Sequence, residues 1–477
     1  MSRSRALNRT VRVSPPALAI VAALAIAATA APCLAETLPD ALALAYQSNP
    51  VLKGQRYQQQ ALDETYVQAK AGLAPTASLT AQGQFARGPN SLSFNQGFSN
   101  SNFGEPALNI TQPVYTGGRA TWALRAAEAS VAAGREDLRS VEAQVLLSAI
   151  QGYIDVLRDQ QILQVRQADM TTLEHQVAES SAKYDLGQVT KTDVAQAKAQ
   201  LESARASLAA AQAQLQISRA EYQAAIGQPP GALADPSDLP GLPKSVDEAF
   251  DLAETANPML LQSQLKEKAS HDQIAVARSA YHPTVALQGS VGYIGPISPL
   301  DTRAYGPNET ATVNFTLPLL TGGLAGSQVR QAMAQNSSDV EAIEAARRQV
   351  VQGVSQAWSQ LLAGQIGVTA GQAQVQAAET ALKGAQAEYG YGLRTTLDVL
   401  IADENLRSAQ LSLAQSRHDA FLAAASVLLV CGRLDIRSLV PAEPNYDPKR
   451  NFDRVDRQSR SPVEAVARVI DGLGAAR

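Results

Sequence analysis

Two aspartates, Asp193 and Asp398, stand 205 positions apart inside stretches that read alike. The first stretch, Lys183 to Leu201, is KYDLGQVTKTDVAQAKAQL; the second, Glu388 to Leu406, is EYGYGLRTTLDVLIADENL. Tyr184 maps onto Tyr389, Gly187 onto Gly392, Asp193 onto Asp398 and Val194 onto Val399. A carboxylate in the first turn of a helix interacts favourably with the positive end of the helix dipole. Held in two copies at the same place, it can also take part in contacts between the copies. Bond-making chemistry finds no support. The histidines His175, His271, His282 and His418 are scattered without metal-ligand spacing. No glycine-rich loop follows a strand in nucleotide-binding fashion. These features read as a non-enzyme without a cofactor or metal.

Each aspartate must be held by a turn between two helices. Leu186-Gly187 and Gly392-Leu393 form the turns, and the tips span 186–192 and 390–396. Before the tips run unbroken helical stretches, about 119–185 and 325–389. Some 65 residues at 1.5 Å rise gives roughly 100 Å, far beyond a globular helix. The returning helices cover about 192–226 and 395–430. Shorter helices precede each half, at 38–48 and 50–73 and again at 246–256 and 258–281. They meet at Asn49-Pro50 and Asn257-Pro258, an N-cap followed by proline at the first helical position. The returning helices stacked on these shorter ones match the long helices in reach.

Between the short and long helices the period changes to two. Strands are expected at about 76–86, 106–115, 284–294 and 309–319, with apolar residues alternating against Thr, Ser, Asn and Gln. About ten residues is the length of a tilted membrane-spanning strand, and the polar set suits a wet lumen. Each pair ends alike, in QPVYTGG and LPLLTGG. Four strands cannot close a barrel, and an open edge in lipid leaves backbone groups without partners. Two copies would give eight strands and a filled lumen; three would give twelve and room for a pore. Three is the preferred reading.

The rest of the chain frames this. Residues 1–35 carry Arg3, Arg5, Arg9 and Arg12 before an apolar run and a small-residue site at Ala35, which reads as a cleaved signal peptide. Cleavage would leave 36 basic against 44 acidic residues and a single cysteine, Cys431. An acidic balance offers nothing to nucleic acid. The first repeat is 36–226, a Pro-rich linker covers 227–244, and the second repeat is 245–435. The polar, charged tail, 436–477, is expected to be disordered. Aromatic residues make up only 5%, while Ala and Gln abound, which suits long helices packed through small side chains.

The ALALA…NP opening and its second copy, the two strand pairs with their QPVYTGG and LPLLTGG ends, and the turns YDLGQVTKTDV and YGYGLRTTLDV resemble the TolC-like outer membrane efflux protein family. The resemblance covers about residues 37–435. It implies an α+β membrane protein with a two-fold internal repeat. Four strands per chain would complete a twelve-stranded β-barrel in a homotrimer, continuous with a long α-helical barrel. The implied setting is the outer membrane lipid of a Gram-negative bacterium, with the helices in the periplasm. The implied partners are a periplasmic adaptor and an inner-membrane transporter, and the cargo is drugs or proteins secreted by the type I route.

The resemblance also implies where passage is controlled. Family members close the tip with links between the hairpins, which by motif position are Thr192, Asp193, Tyr389, Arg394 and Asp398. Arg394 can fork onto a carboxylate such as Asp193, and Tyr389 can donate a hydrogen bond to it. Three Asp398 side chains around a three-fold axis would form a ring that attracts cations. Related channels can carry a second acid one turn further on; here that position is Ile401, and Asp403 lies two residues beyond. The competing reading is a secreted or periplasmic coiled-coil structural protein or adhesin without a pore.

Overall fold

A computed structural model describes residues 35–89, 98–297, 305–460 and 464–472. The expected signal segment therefore lies outside the described residues, apart from its final Ala35. The first half runs α1 (Leu38–Ser48), α2 (Pro50–Ala71), β1 (Thr76–Pro89), β2 (Phe98–Tyr115), α3 (Arg119–Asp185) and α4 (Lys191–Ile226). The second half repeats this order as α5 (Val246–Ala256), α6 (Pro258–Arg278), β3 (Thr284–Ile294), β4 (Gly306–Thr316), α7 (Leu324–Gly390) and α8 (Thr396–Val430). Then come α9 (Ile436–Leu439), α10 (Pro448–Gln458) and α11 (Glu464–Gly472).

The strands form one antiparallel sheet in the order β1-β2-β3-β4. Its register sorts the side chains by face. Ser78, Asn109, Ser290 and Thr310 stand in one row, and Leu79, Leu108, Val291 and Glu309 in the next, with Glu309 the charged exception on an otherwise apolar row. Leu79 is 80% and Val313 71% exposed in the single chain. A sheet with one mainly apolar and one polar face, and with β1 and β4 as its edges among the described residues, cannot be complete as a lone chain in lipid.

Four strand limits differ from expectation: β1 runs on to Pro89, β4 begins at Gly306, and two further limits have a physical cause. β2 starts at Phe98, because Ser99–Gly104, which read as loop, pair with Gly83–Gly88. β4 stops at Thr316, since Pro318 has no N–H to give to a ladder.

Each strand-to-helix junction turns on two glycines with positive φ: Gly117 and Gly118 at 71° and 83°, Gly322 and Gly323 at 60° and 85°. Only glycine takes that geometry without strain. Both helices that follow, α3 and α7, are 67 residues long.

Asn49 and Asn257 splice helices end to end. The Oδ1 of Asn257 accepts from the N–H of Met259 and Leu260, while its Nδ2 donates to the carbonyl of Val430 at the end of α8. Asn49 does the same for α2, with Ala225 of α4 as its acceptor. The largest core lies around these splices and includes Tyr153, Leu146, Leu42 and Leu428.

The tail is a correction to the expected disorder. α10 packs on α2: Phe452 meets Tyr66 with ring centroids 4.8 Å apart, and Lys70 pairs with Asp456 at 2.9 Å. On α11, the fully buried carboxylate of Asp471 accepts from the N–H and Oγ1 of Thr116, the N–H of Gly118, and the N–H and Oγ1 of Thr121. It therefore satisfies the unpaired donors at the start of α3. Polar composition concealed two amphipathic helices, and Asp447-Pro448, an N-cap with proline after it, was the local signal.

Candidate functional site: the hairpin tips

Both tips are built the same way. Gly187 and Gly392 take φ of 74° and 76° and end the long helices. Thr190 and Thr395 then cap the returning ones. The N–H and Oγ1 of Thr190 donate to Asp193 Oδ2, both at 2.8 Å, and the N–H of Asp193 donates back to Thr190 Oγ1. Thr395 and Asp398 make the matching box. The hydrogen bonds from the backbone and hydroxyl of the threonine hold each carboxyl below the usual range, and Arg394 adds to this for Asp398.

Arg394 is half-exposed and its Nε donates to Glu388 Oε2 at 2.7 Å. Tyr389 receives a hydrogen bond from Lys183 Nζ at 2.7 Å, with the ammonium 4.4 Å from the ring centroid. Thr396 Oγ1 donates to the same phenol at 3.3 Å. Lys183 also pairs with Glu179 at 2.6 Å. Thus Lys183, from the first hairpin, and Tyr389, from the second, join the two tips.

Within one chain, then, the expected residues are not all brought together. Asp193 is taken up by its own helix start rather than by Arg394 or Tyr389. Thr192 is exposed beside it, and Leu186 and Leu393 project into solvent at 74% and 76% exposure. Ile401 is 47% exposed, whereas Asp403 is buried and paired with Arg407 at 3.2 Å. Burial pushes the Asp403 carboxyl up despite that arginine. Sequence reasoning missed Thr190, Thr395, Lys183 and Glu388. The Thr-x-x-Asp spacing of a capping box could have found the first two; the lysine and glutamate carry no local signal.

The hairpins also meet above the tip, where Leu400 of α8 packs among Leu173, Leu201 and Ala204. Arg394, Asp398 and Ile401 line a groove along the second hairpin with Ala381, Gly384 and Ala385.

The sequence pattern described as outer membrane efflux protein matches residues 41–228 and again 249–433. The chain belongs to the outer membrane efflux protein family. This efflux protein is 31% identical over 424 residues to outer membrane efflux protein BepC of Brucella suis, covering 88% of this chain and 91% of that one. It is 26% identical to outer membrane protein TolC of Escherichia coli, over 85% of this chain and 84% of the other. Its fold is similar to that of the Campylobacter jejuni CmeC outer membrane channel. There the TM-score is 0.76 and the identity 16%, covering 89% and 90% of the two chains. At that identity the likeness concerns the fold alone. As an efflux protein of this family, the chain works at the outer membrane of a Gram-negative bacterium, its helices on the periplasmic side.

Proposed function

We propose that this efflux protein is the outer membrane exit duct of a tripartite export system, gated where its helical hairpins end. The observation that carries this is the pairing of a bare-edged, two-faced sheet with helices of 67 residues that end in twin capped turns. Three copies would bring β4 of one chain beside β1 of the next and close a twelve-stranded barrel. A periplasmic adaptor and an inner-membrane transporter would complete the path. The cargo class is small toxic compounds, secreted proteins or both.

Gating is assigned to Thr192, Asp193, Tyr389, Arg394 and Asp398. Arg394 and Asp193 lie on exposed parts of different hairpins, so in an assembly each can meet a neighbour's residue. Opening requires the second hairpin to move away from the first, which breaks the contact of Lys183 with Tyr389. In planar bilayers, Arg394→Ala and Tyr389→Phe are each expected to raise single-channel conductance. If both variants conduct like the parent, the gate lies elsewhere.

A further inference from the structure

Midway along the helices, about 45 Å above the tip at 1.5 Å per residue from Asp155 to Asp185, a charged cluster is buried between the two hairpins. Asp155, Asp159 and His418 are 7%, 2% and 9% exposed. His418 sits on α8, and its Nε2 lies 2.9 Å from Asp155 Oδ1 on α3. Its Nδ1 lies 2.9 Å from Asp419 Oδ1 on its own helix. Arg158 of α3 reaches Asp155 at 2.8 Å through Nη1 and Asp159 at 2.8 Å through Nε. The same Nη1 is 3.4 Å from His418 Nε2.

We propose that His418 is a protonation-dependent tie between the two hairpins, and so a positioning residue for the gate. Charged imidazolium has two N–H donors and both face a carboxylate. Neutral imidazole keeps one N–H, so one carboxylate then faces a lone pair. If the remaining proton is on Nδ1, Asp155 loses its link to α8. Arg158 stays with Asp155 and Asp159 on α3, and its Nη1, 3.4 Å from Nε2, then donates to the bare nitrogen in a longer and weaker contact than the 2.9 Å bond to Asp155 that is lost. Among the helices packed on α8, α3 contributes Asp155, Arg158 and Asp159, and α8 itself contributes Asp419. The second hairpin's α7 carries no charged or titratable side chain from Gln349 to Ala378. That stretch includes Gly364 and Gly367, which abut Ala420 and Ser416 on either side of His418.

The pH sense follows from the packing. Burial acts to lower the imidazole's proton affinity. Hydrogen bonds to Asp155 and Asp419 outweigh it, even with Arg158 opposing, and the net shift is upward from 6.5. A group raised in the tied state stabilises that state fully below its ordinary value. The stabilisation is lost as pH rises through the raised value. Acid therefore tightens the tie, and mild alkali loosens it.

The proposal rests on the reading that the hairpins part on opening, and two measurements keep them separate. The first uses the detergent-solubilised protein with labelled histidine. The chain has four histidines, and His418→Gln assigns the resonance. His418 is expected to titrate above the ordinary imidazole value of 6.5, and Asp155→Asn should bring it down. Titration at or below 6.5, or no response to Asp155→Asn, would overturn the tie whatever the gate does. The second measurement is channel opening in bilayers from pH 5.5 to 8.5. Opening of the parent should rise roughly ten- to a hundredfold, the range expected for one charge-assisted hydrogen bond, and His418→Gln should be flat. A His418→Gln profile that tracks the parent would overturn the coupling. Arg394→Ala serves as the independent check: if it leaves conductance unchanged, the gate reading fails while the histidine titration still decides the tie.

Discussion

Asp193 and Asp398 serve their own helices first. Each is held by two hydrogen bonds from a threonine three residues earlier. Any role in the pore is added to that. The two roles separate by substitution. Asp398→Asn keeps an acceptor for Thr395 and removes the charge, so it should weaken block by multivalent cations by roughly tenfold if the ring reading holds. The helix content should stay unchanged. Asp398→Ala should also lose the reciprocal half of the capping box, at about 1 kcal/mol, while Thr395 still caps the helix. Equal cation block in the parent and Asp398→Asn would remove the ring from the mechanism. The position and pairing of these aspartates were legible in the repeat. Their partners were not, because a capping box is satisfied locally before any distant arginine is reached. Lys183 and Glu388 are ordinary helix-surface residues in sequence: the meeting of the two hairpins gives Lys183 its role at Tyr389, and the fold of the second turn brings Glu388 to Arg394.

At the scale of elements, the asparagine splices decide how short helices become long supports. Asn257→Ala removes the cap of α6 and leaves the Val430 carbonyl without its donor. We expect a loss of about 1–3 kcal/mol, read as a lower thermal midpoint of the extracted assembly. Asn257→Asp should restore the cap but not the bond to Val430, and should fall between.

The second hairpin depends on close approach. A Cβ at Gly364 would come within 2.7 Å of Ala420 Cα. Gly364→Leu should therefore push α7 from α8 and cost about 1–3 kcal/mol, seen as faster proteolysis of the hairpin. Helices, turns and strands were legible because their periodicities are long and doubled. The ends of β2 and β4 were not, since polar pairing residues look like loop and Pro318 acts only through the ladder it cannot join. The tail helices were obscured by composition: α10, PKRNFDRVDRQ, buries little of itself beyond Val455.

For the whole molecule, the open sheet edges make assembly a condition of membrane residence. The extracted protein should migrate as a trimer without heating and as a monomer after boiling. A freely soluble monomer would favour the coiled-coil alternative. The two-fold design was plain in the sequence, but its asymmetry was not. One strand-to-helix junction is clasped by Asp471, while at the other Leu319 and Leu320 are 83% and 97% exposed in the single chain. A clasp from the far end of the chain has no local signature, because nothing around Thr116 announces a partner that distant.

That clasp also orders events in time. Thr116 and Asp471 are 355 positions apart, and closing so long a loop is slow and costly in entropy. The donors at the head of α3 must wait for residue 471 to arrive, although their own segment is delivered far earlier. A chain interrupted before that point would hold every strand and both hairpins and still lack the bond set that seats the first hairpin beneath the sheet. Nascent or truncated copies would thus be distinguishable from finished ones at the membrane boundary itself, the place where a faulty subunit would leak.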